Sequence, residues 1–157
     1  MTTRTPPKGM ARWFMRAPIT LYRLGLGGLM GGRFLLLNHV GRKSGLPRQV
    51  VLEVVKHDPV TGIYTVASGF GASSDWYRNL QAVPDVTIQV GRRVIPVRAH
   101  FFTQAEGGAA MMDYARRYPK AALALCKTMG YAVGDGAPAD YRRVGEGIPF
   151  VEFRPQK

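Results

Sequence analysis

The apolar positions come in short runs whose spacing switches between the two-residue period of strands and the roughly 3.6-residue period of helices. Residues 34–40 and 49–55 are rich in leucine and valine, and Gly41-Arg42-Lys43-Ser44-Gly45-Leu46-Pro47-Arg48 lies between them. Two strands, over 33–39 and 49–57, joined by a stiff cationic turn are the economical reading. His39, alone at a strand end, reads as structural rather than catalytic. Asp58-Pro59-Val60-Thr61-Gly62 has the composition of a hairpin turn and predicts a third strand over 63–68. Gly69-Phe70-Gly71-Ala72 then lets the backbone come close to whatever lies opposite. Ser73, Ser74 or Asp75 is suited to cap a helix over 75–82, which Pro84 ends. Residues 86–90 and 93–102, turning at Gly91-Arg92, predict a second hairpin with one covered face.

Thr103 followed by Glu106 is a capping-box pattern and opens a helix over 104–118. Pro119 interrupts it, a second helix is expected over 120–129, and residues 130–139 read as a Gly/Pro-rich loop. Residues 148–153 form the last expected strand. Six short strands linked mainly by hairpins favour an α+β fold, an antiparallel barrel with helices on its rim. No Gly-x-Gly-x-x-Gly follows the first strand, which argues against a Rossmann sheet.

Residues 1–32 have a different texture. Residues 1–8 read as a loose tail. Residues 9–24 place Met10, Trp13, Phe14, Leu21 and Leu24 among Arg12, Arg16 and Arg23, an amphipathic helix interrupted at Pro18. It either packs on the domain or lies on an anionic membrane surface. Gly25, Gly27, Gly28, Gly31 and Gly32 form a flexible connector, and residues 33–157 form the barrel domain.

A chain of 157 residues with 46% hydrophobic content is one folded domain. The net charge of +12 changes the picture more. No acidic residue precedes Glu53, so the first third of the chain is a cationic field that attracts polyanions. The lone Cys126 excludes an internal disulfide, fits a reducing cytoplasm, and reads as a small buried residue in its Ala/Leu run. Arg16, Pro18 and Arg23 break up any signal-peptide core, and no run reaches the roughly 18 apolar residues of a membrane span.

Two stretches can carry chemistry. In the turn, Arg42 and Arg48 each offer a forked hydrogen bond, Lys43 a mobile charge and Ser44 a hydroxyl, as an anion clamp requires. The second stretch is Ala67-Ser68-Gly69-Phe70-Gly71 with Asp75-Trp76-Tyr77-Arg78-Asn79-Leu80. It offers close backbone approach and flat rings, although Trp76, Tyr77 and Leu80 equally suit a buried helix face. His39, His57 and His100 lack metal-ligand spacing, and no Gly-x-Ser-x-Gly elbow is present. An anion clamp beside a planar-ring surface, without a nucleophile or metal, points to a borrowed cofactor.

Residues 37–48 (Leu-Asn-His-Val-Gly-Arg-Lys-Ser-Gly-Leu-Pro-Arg), 66–71 (Val-Ala-Ser-Gly-Phe-Gly) and 75–80 (Asp-Trp-Tyr-Arg-Asn-Leu) together resemble the deazaflavin-dependent nitroreductase family. The resemblance implies a split β-barrel, similar to FMN-binding split barrels, that uses reduced coenzyme F420. It implies that Arg42, Lys43, Ser44 and Arg48 hold the cofactor phosphate and acidic tail. It also implies that Val50, Val51, Val66, Ala67, Ser68, Gly69, Asp75, Trp76, Tyr77 and Asn79 line the ring. Two departures stand out. Gly69 and Phe70 occupy the place where nitroreductase-active relatives carry a Lys, and Tyr118-Pro119 is followed by Lys120, Ala121, Ala122 and Leu123 rather than by tyrosines.

The expected activity is hydride transfer to an apolar electron-poor acceptor: a quinone, an enone or a nitro compound. The proton would come from solvent, Tyr118 or Tyr131. The alternatives are an FMN-dependent reductase and a non-catalytic cofactor- or lipid-binding barrel. Nucleic acid is not an expected partner, because the turn lacks the aromatics that base stacking needs. The expected setting is the cytoplasm, with membrane contact through residues 9–24, as a monomer or homodimer.

Overall fold

The computed structural model describes residues 34–68, 71–128, 130–134 and 136–156. The segment expected to be an amphipathic helix at 9–24, the connector to residue 32, and Gly69-Phe70 lie outside the described residues. Six strands, β1 (Phe34–Val40), β2 (Pro47–His57), β3 (Tyr64–Ala67), β4 (Asp85–Val90), β5 (Arg93–Phe101) and β6 (Phe150–Pro155), close into an antiparallel barrel in the order β1-β2-β3-β6-β5-β4. Helix α1 (Asp75–Ala82) lies between β3 and β4 in sequence. Helices α2 (Gln104–Arg117), α3 (Pro119–Thr128) and α4 (Pro138–Glu146) lie between β5 and β6.

Register explains the apolar pattern. Leu35 pairs with Leu52 and Leu37 with Val50, which places these four side chains on the inner face. Leu36 with Val51 and Asn38 with Gln49 face outward. Inside, Leu35, Leu37, Leu52, Val66, Ile88, Val97, Val151 and Phe153 pack together, and α1 adds Trp76, Tyr77 and Leu80 to this core. Each such fully buried side chain contributes roughly 1.5–3 kcal/mol.

A second core forms on the outside of the barrel. Val55 and Phe150 meet Met111, Tyr114, Ala122, Cys126, Tyr141 and Val144 of the helical layer. The register shift between Val54 and Lys56 brings Lys56 opposite Thr65 and stacks His57 on Tyr64 at 4.0 Å between ring centroids. Cys126 is fully buried, as its apolar surroundings predict, and that burial raises its thiol pKa.

The capping box at α2 is formed: Thr103 N donates to Glu106 Oε1, and Glu106 N donates to Thr103 Oγ1. The structure adds α4, which the sequence reading passes over. Its apolar content is small, and Gly145 looks like a breaker. In the fold that glycine lets α4 cross α2 closely, because a Cβ there would meet the Gly107 carbonyl oxygen and lie 2.6 Å from Met111 Cβ.

Candidate active site

The cationic turn holds itself together. Gly41 N donates to Leu46 O, and Gly45 N to Gly41 O, with Gly45 at φ +69°, where a side chain is strained. Ser44 Oγ accepts from Leu46 N at 3.2 Å. Lys43 and Arg48 are exposed, and neither has an ion pair with a described residue.

Arg42 differs from its two neighbours. Its backbone N–H donates to Asn79 Oδ1 at 3.0 Å and its Nη1 to the same oxygen at 2.8 Å. The guanidinium also meets Asp75 Oδ1 at 3.4 Å. Asn79 is buried and donates through Nδ2 to Nδ1 of His39 at 3.0 Å. Because Nδ1 accepts this proton, the neutral ring carries its own hydrogen on Nε2. Burial, and then the nearby positive charge of Arg48, lower the His39 pKa from 6.5 to about 4, against an upward pull from Asp75. The turn is thereby tied to α1 through a buried network.

The third part of the site is the exit from β3. Ser68 is buried, donates its hydroxyl to Gly71 O at 2.6 Å, and hydrogen-bonds with Ser74 Oγ at 3.2 Å. Ser74 is the N-cap of α1, yet its side chain makes no capping bond. Beside these, Gln49 Nε2 donates to Asn38 Oδ1 and Asn38 Nδ2 to Thr87 Oγ1, a polar ladder running across the outer face of β2, β1 and β4. Sequence reasoning missed this ladder. The outward phase of Asn38, Gln49 and Thr87 in their strands was the signal for it.

The structure gathers Arg42, Lys43, Ser44, Arg48, Asp75 and Asn79 around the turn and α1, with Ser68 at the base of the same helix. It separates others by the alternation of the strands. Val50 points into the barrel and Val51 out, so their side chains cannot share one ring face. Val66 follows the same alternation. Its side chain is fully buried in the inner core, which leaves only its backbone for a ligand, whereas Ala67 faces the outer cluster. Trp76 and Tyr77 are less than a tenth exposed and pack into the barrel, Tyr77 edge-on to Phe101. That burial leaves little of either ring for a ligand. Gly69 lies outside the described residues.

Of the two tyrosines considered as proton sources, Tyr118 is half exposed at the end of α2, beside Tyr114 and Arg117. Tyr131 is half-buried against the same outer cluster as Ala67. A cavity of about 510 Å³ lies between α2 and α4, lined by Met112, Pro119 and Tyr141 among others, and shares no residue with this site. Among the described residues no group of three His, Cys, Asp or Glu side chains is placed to hold a metal, and no helix is long and apolar enough to cross a membrane.

This donor set fits an anionic cofactor: two exposed cations without carboxylate partners among the described residues, on a turn braced from beneath. The comparisons with known proteins agree. The model of the F420H2-dependent quinone reductase family matches residues 15–131. A Mycobacterium tuberculosis protein, Rv3178, named as a candidate F420H2-dependent quinone reductase, is 33% identical over 136 residues, covering 85% of this chain and 99% of that one. Among solved structures, an F420H2-dependent reductase, FDR-A, superposes with a TM-score of 0.51 at 23% identity, over 78% of this chain and 94% of the other. A pyridoxamine 5′-phosphate oxidase-related, FMN-binding protein from Nostoc punctiforme superposes at 0.52 and 11% identity, over 98% and 83%. At these identities the two structures show the split-barrel fold alone. With the family match spanning most of its length, the chain belongs to the F420H2-dependent quinone reductase family, and is an oxidoreductase that uses coenzyme F420.

Proposed function

We propose that this chain reduces an apolar, electron-poor acceptor, a quinone before an enone or nitro compound, at the outer face of β2 and the end of β3. When bound, the reduced deazaflavin supplies a hydride. Lys43 and Arg48 bind the anionic tail as charge-assisted donors, and Ser44 keeps the turn in shape. Val51, Ala67 and the backbone at Ser68 orient the ring, with Trp76 beside them. The helical layer excludes water from the apolar side, where Ala121 and Leu125 pack around the second core. Tyr131 is better sited than Tyr118 to hold a proton for the acceptor, because it packs on the cluster that includes Ala67.

The single observation that carries this reading is the pair of exposed cations, without ion pairs among the described residues, above a buried polar brace. A cytoplasmic setting with membrane contact through residues 9–24 belongs to the same reading, since quinones with apolar tails reside in membranes. The test is anaerobic: chain, F420H2 and a short-chain quinone, followed by recovery of the oxidised deazaflavin absorbance. Quinone-dependent oxidation is expected. Tight binding with no oxidation by quinone, enone or nitro acceptors would instead favour a cofactor-binding barrel without turnover.

A further inference from the structure

The three cations of the turn look equivalent in sequence, but the fold uses one of them differently. Arg42 directs both its backbone N–H and its Nη1 at a single buried oxygen, Asn79 Oδ1. The other end of that amide is held by His39 Nδ1. Asn79 is 3% exposed and His39 is 6% exposed, so the bonds lie largely out of water, where an unmade partner is costly. The amide has one oxygen and one nitrogen, and both face protein. What remains of the Arg42 head faces Asp75, whose side chain is largely exposed.

We propose that Asn79 and Arg42 are positioning residues and not cofactor ligands: with His39 as a fixed acceptor they form a strut that sets Lys43 and Arg48 against α1. The proposal rests on the reading that the turn grips the cofactor tail. Its logic is directional. Asn79 can satisfy two Arg42 donors only with its oxygen toward the turn, which leaves its NH₂ toward β1 and requires an unprotonated Nδ1 on His39. A strand end, a turn and a helix are thus locked by one side-chain amide. The turn then meets the anion without first having to be ordered.

The first test uses the native protein. Ring ¹⁵N shifts of His39 near neutral pH should report the tautomer protonated on Nε2. A ring protonated on Nδ1 would overturn the proposal, because Asn79 would then face the other way. The second test is coenzyme F420 affinity in variants whose urea unfolding is measured alongside. Asn79→Leu should bind roughly tenfold or more weakly. Arg42→Lys should bind as poorly as Arg42→Ala, since an ammonium keeps the charge but not the forked geometry. His39→Asn, which keeps an acceptor oxygen toward Asn79, should bind more tightly than His39→Leu, which keeps none, and equal affinity in the two would count against His39 as part of the strut.

If Asn79→Leu does not fold, Arg42→Lys and the native tautomer still decide the matter. Wild-type affinity in Asn79→Leu, or rescue of Arg42→Ala by lysine, would overturn the strut. Lys43→Ala separates this from the underlying reading. If Lys43→Ala binds normally, the tail-binding role of the turn is wrong. If it binds poorly while Asn79→Leu does not, only the strut is wrong.

Discussion

Acid should weaken this protein through His39. The ring is buried and neutral, with a pKa of about 4 against an ordinary 6.5. The unfolded chain takes up a proton on this residue below about pH 6.5, while the native chain resists until about pH 4. Throughout that window the unfolded state holds more protons, so stability falls as the pH falls and this contribution levels off below it. Between pH 7 and pH 4.5 the linkage integral for one group shifted this far is about 2 kcal/mol. The carboxylates titrate over part of the same range, so the wild type alone does not isolate it. His39→Asn keeps an acceptor for Asn79 Nδ2 and has no proton to gain. Urea unfolding of both proteins at a series of pH values should give curves that diverge by about 2 kcal/mol toward acid, the variant being the flatter. Parallel curves would refute the buried neutral ring, and with it the direction assigned to the Asn79 amide.

Other outcomes follow from separate parts of the fold. Gly145→Ala should destabilise by about 3 kcal/mol in urea unfolding, because the α2 backbone cannot yield to a Cβ; F420 affinity of the folded fraction should not change. Gly45→Ala forces a side chain into a left-handed turn position at φ +69° and should cost about 1 kcal/mol while loosening cofactor binding, read by titration and unfolding together. Cys126 is fully buried with its thiol pKa raised, so a thiol-specific reagent should label it only at the rate of unfolding.

The barrel was largely legible because its strands obey the two-residue alternation, and the turn residues at 58–62 and 91–92 fall where the hairpins close. Helix α4 was not. Its stability comes from Tyr141, Val144 and Gly145 meeting α2, a close crossing that no local pattern announces. The site divides the same way. The cations at 42, 43 and 48 are obvious in the chain, but only packing against α1 separates the tethered Arg42 from the exposed Lys43 and Arg48. In the motif at 66–68 the strand phase turns Val66 inward and Ala67 outward, a phase readable from Tyr64 onward. His39 was expected to be structural, and its buried bond to Asn79 shows the form this takes.

One titration tests the anion-binding role of the turn most directly. Coenzyme F420 is added to the native chain and to the Lys43→Ala/Arg48→Ala double variant, with circular dichroism and urea unfolding confirming that both are folded. The native chain should bind saturably and the variant should lose at least about a hundredfold, two exposed charge-assisted contacts at roughly tenfold each. Equal affinity in the two folded proteins would contradict it.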